Sequence, residues 1–301
     1  MSLTLALILD ALLGEPKQVW SRVPHPAVLM GRLIDYADTR TNHGDNRRMK
    51  GLALMVILVV AAYLLGRAIE FIPGIWADVL VGAVMLAHKS LVDHVRAVSD
   101  ALVSSLSEGR RAVAQIVGRD VSGMDEPAVA RSAIESAAEN FSDGVLAPAL
   151  WFALLGVPGI LIYKISNTAD SMIGYRTPRH EDFGWAAARF DDLLNWPAAR
   201  LTAALFLLAG RVGDGWATIA ADARLHRSVN AGWPEAAMSR ALGVALSGPR
   251  AYHGEMRDFP WVNEQGRRTI GPAEIDAAVT LLWRAWIAVL AISAVLWFLF
   301  D

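Results

Sequence analysis

The residues GLALMVILVVAAYLLG, from Gly51 to Gly66, contain no charged side chain. A helix that crosses a bilayer needs about 20 predominantly apolar residues, so this stretch predicts a transmembrane helix. Pro73-Gly74 interrupts the pattern, and Ile75 to Ala87 then forms a second apolar run in which Asp78 is the only charge. The two runs together predict a membrane hairpin.

The composition agrees with a membrane protein. Hydrophobic residues make up 54% of the 301 residues and charged residues only 19%, which is more apolar than an ordinary soluble domain. The 28 basic and 30 acidic residues give a net charge of -2, which excludes a globally basic surface for nucleic acid. Because the chain has no cysteine, disulfides, thiolate nucleophiles and cysteine-based metal sites are excluded as well.

Further apolar segments extend the helical pattern. Leu146 to Leu155 is followed by the break Gly156-Val157-Pro158-Gly159, after which a helix resumes at Ile160. Neither half is long enough to cross a bilayer alone, so we expect a broken or re-entrant pair that lines a cavity. The alternative is one complete crossing over both halves, which would put basic residues such as Lys164 and Arg189 on the far side and fits the positive-inside rule less well. Ala198 to Ala209, again short for a span, and Ala285 to Phe300 are the last apolar helices.

The ends of these segments predict the topology. Ser2 to Leu13 is apolar but short and contains Asp10, so we expect a retained helix and not a signal peptide. Basic residues crowd Arg40 to Lys50 and the segment after Lys89, which the positive-inside rule places in the cytoplasm. We therefore predict an all-α, multi-pass integral membrane helical bundle with broken or re-entrant helices and cytoplasmic helical segments. A single domain is expected over residues 1–301.

Polar side chains concentrate between Glu135 and Arg200. They lie in the blocks ESAAENFSDG (135–144), YKISNTADSMIGY (163–175) and ARFDDLLNWPAAR (188–200). The chain lacks the GxxxxGK[ST], GxGxxG, GxSxG and HExxH signatures. Carboxylates, amides and arginines suit Mg²⁺ and phosphate, and charged residues are costly at membrane depth, so the grouping indicates a site.

Helical spacing places several of these residues on shared faces. Asp170 and Ser171 follow Asn167 by three and four positions, with Tyr163 one turn earlier, and Asn195 follows Asp191 by four. For any one of them alone, a polar bridge between helices is the more common role. The dense set favours a binding or catalytic site over such bridges.

Some polar residues have simpler interpretations. Glu135 is expected to be a solvated helix charge, whereas Glu139 and Asp143, closer to the apolar run, are better ligand candidates. Lys164 has the alternative of extending to the membrane interface. For His25, a locally hydrogen-bonded turn is favoured over a phosphate or substrate contact.

The chain resembles the adenosylcobinamide-phosphate synthases of cobalamin biosynthesis almost from end to end. The most specific match is the block Asn167-Thr168-Ala169-Asp170-Ser171-Met172. Further matches are Asp10 with Gly14-Glu15-Pro16, His25-Pro26, Gly118-Arg119-Asp120, Glu139-Asn140, Asp143-Gly144, Ala188-Arg189 with Asp191-Asp192, Asn195, Asn230-Ala231-Gly232, and Tyr252 with Gly254. Many relatives have aspartate in place of Glu15.

The resemblance implies a multi-pass enzyme of the bacterial inner membrane with its active site on the cytoplasmic side. Such an enzyme joins (R)-1-amino-2-propanol, or its O-phosphate, to the propionate carboxylate of adenosylcobyric acid, using ATP and Mg²⁺. ATP would convert the carboxylate to an acyl phosphate, and the amine would then displace phosphate. The expected partners are these small molecules and the lipid membrane, and the resemblance leaves a homo-oligomer open.

The resemblance also implies roles for individual residues. The carboxylates expected in catalysis are Asp143, Asp170, Asp191 and Asp192. The expected metal ligands are Glu139, Asp143 and Asp170. The expected substrate-binding residues are His25, Asn140, Tyr163, Lys164, Asn167, Ser171, Arg189, Asn195, Arg200 and Asn230. A membrane transporter, or a regulatory membrane protein without ligase activity, is the alternative.

Overall fold

The computed structural model describes residues 1–213, 215–252 and 255–300, so Gly254 of the matching motifs lies outside the described residues. The described chain forms two compact units. The first contains Met1–Ala87, Asp143–Pro197 and the residues from Ser293 onward, and the second contains His88–Ser142 and Ala198–Ile292. The single domain over residues 1–301 stays a prediction.

The described residues confirm the predicted all-α class. The helices are α1 Ser2–Leu13, α2 Lys17–Trp20, α3 Pro26–Thr41, α4 Arg47–Glu70, α5 Trp76–Met85, α6 His88–Ser104, α7 Leu106–Val113, α8 Glu126–Phe141, α9 Ala147–Ile173, α10 Trp185–Gly210, α11 Trp216–Ala223, α12 Gly232–Leu242 and α13 Pro272–Phe300. A π-helical turn, Ser142–Leu146, joins α8 to α9. The strands are short: β1 Leu246–Ser247 pairs antiparallel with β4 Trp261–Val262, and β2 Arg250–Tyr252 with β3 Glu255–Arg257.

Four helical stretches are long and apolar enough to cross a membrane, counting only described residues: Arg47–Glu70, Glu126–Ile173, Trp185–Gly210 and Pro272–Leu299. This confirms the prediction of a multi-pass membrane protein. In the most apolar part of α4 only 22% of the residues are buried within the protein, so most of its side chains are available to lipid.

Two predicted segments differ in length from the structure. The second apolar helix of the predicted hairpin, Ile75 to Ala87, is present as α5, but its 10 residues are too few to cross a bilayer alone. It begins after Pro73-Gly74, at Trp76, and ends where Leu86 becomes extended. Ala198–Ala209 was expected to be short, but it is the second half of the 26-residue α10, which continues through Pro197.

The predicted break in α9 is present as a kink. Gly156 has φ 65° and ψ -150° inside α9, a conformation that favours glycine. Pro158 follows and has no N–H to donate. On α4, a Cβ at Gly66 would lie 2.5 Å from the backbone of Pro158, so a glycine allows the two helices to approach closely. A re-entrant course for this pair stays a prediction.

Small residues also permit close packing elsewhere in the first unit. A Cβ at Gly82 of α5 would lie 2.8 Å from Ala6 of α1 and 3.3 Å from the Phe152 ring of α9. Contacts between small residues let helix backbones approach where lipid supplies no hydrophobic driving force. The Thr4 and Ser293 hydroxyl oxygens lie 3.1 Å apart in the same unit.

Candidate active site

A hydrogen-bond network in the first unit connects the π-helical turn, α9 and α10. The Tyr163 hydroxyl lies 2.9 Å from the Asp143 carbonyl oxygen and 2.9 Å from Asn195 Oδ1. Asn195 Nδ2 donates to Asp191 Oδ2 at 2.9 Å, and Asn167 Nδ2 donates to Asp191 Oδ1 at 3.3 Å. We call these five residues the α9–α10 network. Tyr163, Asp191 and Asn195 are all buried.

The helical periods explain why these side chains meet. Tyr163 and Asn167 lie one turn apart on α9, and Asp191 and Asn195 one turn apart on α10, so each pair shares a face. The π-helical turn at Ser142–Leu146 brings the Asp143 carbonyl to Tyr163; such turns often occur at functional sites. The structure therefore brings these five predicted site residues together.

A second set of charges lies at the C-terminal end of α9 and on α10. The charge of Asp170 interacts with those of Asp191 and Asp192. Arg189 Nη1 lies 3.6 Å from Asp192 Oδ2, and the charge of Arg176 also acts on Asp192. The structure therefore brings together the aspartates predicted for catalysis on these two helices.

The glycine after α9 makes room for Asp170. A Cβ at Gly174 would lie 1.9 Å from Asp170 Oδ1 and 2.7 Å from the Asp170 carbonyl oxygen. A larger residue at this position would have to displace the Asp170 carboxylate and the end of the helix backbone. This gives a physical reason for Gly174 in the block that ends in Ser171-Met172-Ile173-Gly174. Ser171 itself is exposed.

His25 lies in the first unit as the N-cap of α3. Its Nδ1 accepts a hydrogen bond of 3.2 Å from the Ala27 N–H, and its ring packs edge-on against Trp20 with centroids 4.5 Å apart. The locally hydrogen-bonded turn expected for His25 is therefore confirmed. Burial lowers the pKa of His25, and Lys164 acts in the same direction, while Glu15 opposes both.

Glu15 is a charged residue near the site that the sequence analysis did not list among the candidates. The charge of Lys164 interacts with those of Asp143 and Glu15, and that of His25 with those of Glu15 and Lys164. Glu15 thus belongs to the surroundings of predicted site residues. Its position in the Gly14-Glu15-Pro16 motif was the available signal.

Comparison with known proteins adds the family. The family model described as CobD/Cbib protein matches residues 3–282. The chain belongs to this family. It is 47% identical to the cobalamin biosynthesis protein CobD of Sinorhizobium fredii, over 98% of this chain and 95% of the relative. It is also 47% identical to that of Rhizobium meliloti, over 94% and 92% of the two chains. Identity to that of Rhodobacter capsulatus is 42%, over 98% and 97%. No solved structure matches.

Membership of a CobD family of cobalamin biosynthesis proteins confirms the predicted resemblance. The relatives match nearly the whole chain, so residues of both units belong to the shared sequence.

In the second unit, Arg200 and Asn230 contact each other. Arg200 Nη1 donates to Asn230 Oδ1 at 2.7 Å, and Nη2 donates to the Val229 carbonyl at 3.1 Å. The guanidinium carbon lies 4.7 Å from the centroid of the Trp233 ring. In these contacts Arg200 fixes the segment that precedes α12.

The end of α8 carries two other predicted site residues of the second unit. Glu139 and Asn140 are both exposed. Asn140 Nδ2 donates to the Ser136 carbonyl oxygen at 2.9 Å and to Ser136 Oγ at 3.1 Å, so it bonds to its own helix.

The prediction that Glu135 is a solvated helix charge is wrong. Glu135 is buried, with only 6% of its surface exposed, and its Oε2 accepts a hydrogen bond of 2.7 Å from Arg119 Nη2. Its Oε1 accepts another of 2.7 Å from the Ser247 N–H of β1. Burying a carboxylate requires such partners, and they come from distant parts of the chain. Glu135 therefore links the segment after α7, α8 and β1.

No group of three or more His, Asp or Glu side chains is arranged to hold a metal ion anywhere in the described parts of the chain. The metal-binding roles of Glu139, Asp143 and Asp170 stay predictions. Mg²⁺ is commonly bound by one or two carboxylates together with water and substrate phosphate. The neighbouring Asp170 and Asp192 fit that simpler mode, since both oxygens of Asp191 already accept amide hydrogen bonds.

Proposed function

We propose that this protein is an ATP-dependent amide ligase of cobalamin biosynthesis. It would join (R)-1-amino-2-propanol, or its O-phosphate, to the propionate carboxylate of adenosylcobyric acid, giving adenosylcobinamide or its phosphate. The observation that supports this proposal most strongly is the α9–α10 network beside Asp170 and Asp192, in a member of the CobD/Cbib family. A buried amide and carboxylate network next to further carboxylates suits phosphoryl transfer, which depends on positioning and charge stabilisation.

The proposed chemistry has two steps. A propionate oxygen attacks the γ-phosphorus of ATP, and ADP leaves as the acyl phosphate forms. The amine nitrogen then attacks the acyl carbon, phosphate leaves, and the nitrogen loses a proton. Both steps develop negative charge on phosphate oxygens, which cations stabilise.

We assign roles to the residues of the first unit on this basis. Asp170 and Asp192 would hold Mg²⁺, which supplies charge stabilisation for the phosphates when it is bound. Lys164 and Arg189 would bind phosphate oxygens, and Asp143, whose charge interacts with that of Lys164, would accept the proton of the amine. Asn167 and Asn195 would orient Asp191.

The remaining predicted residues are proposed as substrate contacts. They are His25, Tyr163 and Ser171 in the first unit and Asn140, Arg200 and Asn230 in the second, and Glu139 of the second unit stays a proposed metal ligand. The basic residues before and at the start of α4 support a cytoplasmic location of that end of the first unit. On this ground we propose a protein of the bacterial inner membrane with its active site on the cytoplasmic side.

Purified protein in detergent or vesicles tests the proposal directly. We expect product and ADP in equal amounts from adenosylcobyric acid, the amine, ATP and Mg²⁺, detected by mass spectrometry and a coupled ADP assay. Asp170→Asn should lower turnover by about 100-fold or more, while Asp276→Asn, an exposed position on α13, should leave it unchanged. Wild-type turnover by folded Asp170→Asn protein would remove Asp170 from the mechanism.

A transporter is the second candidate function. Its support is that Asp170, Asp191 and Asp192 lie in helices long enough to span a membrane, where ionisable residues often mark transport pathways. Corrinoid or amine flux into sealed vesicles, without ADP or amide product, would favour this function over the ligase.

A further inference from the structure

The segment between α9 and α10, from Gly174 to Gly184, is attached to a buried carboxylate on α3. Arg179 donates to Asp38 Oδ2 from Nη2 at 2.5 Å and from Nε at 3.1 Å. His180 Nε2 lies 3.3 Å from the same oxygen, and Asn42 Nδ2 donates to Asp38 Oδ1 at 2.7 Å. Asp38 is only 5% exposed. We call the segment from Gly174 to Gly184 the α9–α10 loop.

Burying the charged carboxylate of Asp38 without hydrogen-bond partners would be unfavourable. Burial raises the pKa of a carboxyl group, but the hydrogen bonds from Asn42, Arg179 and His180 outweigh burial and lower the pKa of Asp38. Asp38 is therefore held as a carboxylate, and its donors come from the loop and from the end of α3. Two guanidinium N–H groups donate to Oδ2 and Asn42 donates to Oδ1, so both oxygens of Asp38 have charged or polar donors.

Further contacts fix the loop on both sides. Arg47 Nη1 donates to the Pro178 carbonyl at 3.1 Å, and Arg47 Nη2 lies 3.4 Å from Asp182 Oδ2. A Cβ at Gly51 of α4 would lie 1.8 Å from the Phe183 carbonyl oxygen, and one at Gly184 would lie 1.6 Å from the Ile173 carbonyl oxygen. The loop thus packs against α3, α4 and the last turn of α9, with close backbone contacts at Gly51 and Gly184.

The loop joins the two helices that carry the candidate active site. Asp170 lies in the last turn of α9, and Asp191 and Asp192 lie in the second turn of α10. Arg176, within the loop, acts electrostatically on Asp192. A shift of the loop would therefore change both the spacing of the aspartates and the charge beside them.

We propose that Asp38 is a positioning residue, which holds the α9–α10 loop so that Asp170, Asp191 and Asp192 keep the spacing required for catalysis. The catalytic part of this inference rests on the proposed ligase function. Asp38 acts through its contacts with Arg179 and His180. Its role is to set geometry, so its loss should affect turnover more than ATP binding.

A distance measurement tests the positioning role without any assay of activity. Because the chain has no cysteine, spin labels at Tyr175→Cys and Leu193→Cys, both exposed positions, report one distance between the loop and α10. We expect a narrow distance distribution that broadens or shifts in Asp38→Asn and is unchanged in Asp35→Asn. Asp35 is an exposed aspartate on the same helix, so it controls for charge loss on α3.

Kinetics of the unlabelled variants supply the second readout. In folded Asp38→Asn we expect kcat to fall by about 10- to 100-fold, with KM for ATP changed by less than about threefold. Arg179→Lys keeps the positive charge but loses the pair of guanidinium donors. It should show a smaller loss of kcat and a smaller change in the label distance than Asp38→Asn. If Asp38→Asn fails to fold, Arg179→Lys and His180→Gln carry the same test.

Each outcome decides the proposal. Unchanged label distances in the folded variants overturn it, whatever the activity, and so does an unchanged kcat alongside altered distances. If the wild-type protein shows no ligation at all, the proposed function fails, while the label distances still decide whether Asp38 holds the loop.

Discussion

The backbone N–H of Val157 donates a hydrogen bond of 3.2 Å to Glu70 Oε1, a carboxylate on the last turn of α4. Val157 directly follows the kink residue Gly156, where α9 loses its regular backbone geometry. Glu70 thus caps the second half of α9 from a different helix. Its other oxygen accepts a hydrogen bond of 2.5 Å from Arg67 Nη1.

Replacing Glu70 should destabilise the kink. We expect Glu70→Ala to lower the free energy of unfolding by about 1 kcal/mol, as for other lost helix caps, because a backbone donor loses its acceptor. Glu70→Gln, which keeps an acceptor oxygen, should cost less. Thermal unfolding in detergent measures both, with the exposed Glu264→Ala as the control. Equal losses for Glu70→Ala and Glu264→Ala would argue against the cap.

The kink and its cap show how far the sequence could predict this fold. Gly156 and Pro158 disfavour regular helix geometry by their own backbone chemistry, so the sequence alone predicts the break in α9. Glu70 is 87 positions away from Val157, and nothing local identifies it as the partner. The prediction for Glu135 fails for the same reason, because its partners, Arg119 and the Ser247 N–H of β1, are distant in the sequence. Helical spacing paired Tyr163 with Asn167 and Asp191 with Asn195, whereas the contacts between the two pairs depend on how α9 and α10 pack.

Tyr163 should be important to the network through its hydroxyl. Tyr163→Phe leaves the Asn195 Oδ1 and the Asp143 carbonyl without this donor, at a cost of about 1–3 kcal/mol for buried groups. We expect a lower unfolding temperature and, if the ligase proposal is right, a loss of turnover in the folded fraction. Tyr63→Phe, at a half-exposed position on α4, is the matched control. A Tyr163→Phe protein as stable as Tyr63→Phe would show that the network contributes nothing to stability.

The buried Arg119–Glu135 pair should behave differently from a surface pair. Arg119→Met removes a guanidinium from a buried carboxylate, so we expect it to destabilise the protein by about 3–5 kcal/mol. The double variant Arg119→Met/Glu135→Leu should regain part of that loss, because the buried carboxylate is then removed as well. Chemical unfolding in detergent gives the coupling from the full mutant cycle.

An exposed ion pair supplies the comparison for that cycle. Arg111 and Glu108 pair on the surface of α7, with side chains 69% and 48% exposed, and such pairs contribute about 0–1 kcal/mol. Arg111→Met should therefore have little effect. If Arg119→Met/Glu135→Leu is no more stable than Arg119→Met alone, the instability of Arg119→Met does not come from the buried carboxylate of Glu135.

His88 should make stability depend on pH. Its ring is fully buried, with centroids 4.5 Å from Trp283 and 5.4 Å from Trp286. Burial lowers the pKa of His88 from 6.5 to about 3, with a further contribution from Lys89. Folded His88 thus stays neutral at pH values where the unfolded chain binds a proton. The stabilisation is complete above pH 6.5 and is lost as the pH falls from 6.5 towards 3.

The expected slope for one such group is about 1.4 kcal/mol per pH unit, or about 2 kcal/mol lost between pH 6.5 and 5. His88→Phe, which suits an aromatic site and cannot bind a proton, should remove that part of the slope. His25, whose pKa is also lowered, would leave a smaller dependence in the same direction. His94→Gln, an exposed position on α6, should keep the wild-type slope. Unfolding measured from pH 8 to 5 compares the three proteins, and equal slopes in His88→Phe and wild type would mean that His88 is already protonated or solvated in the folded protein.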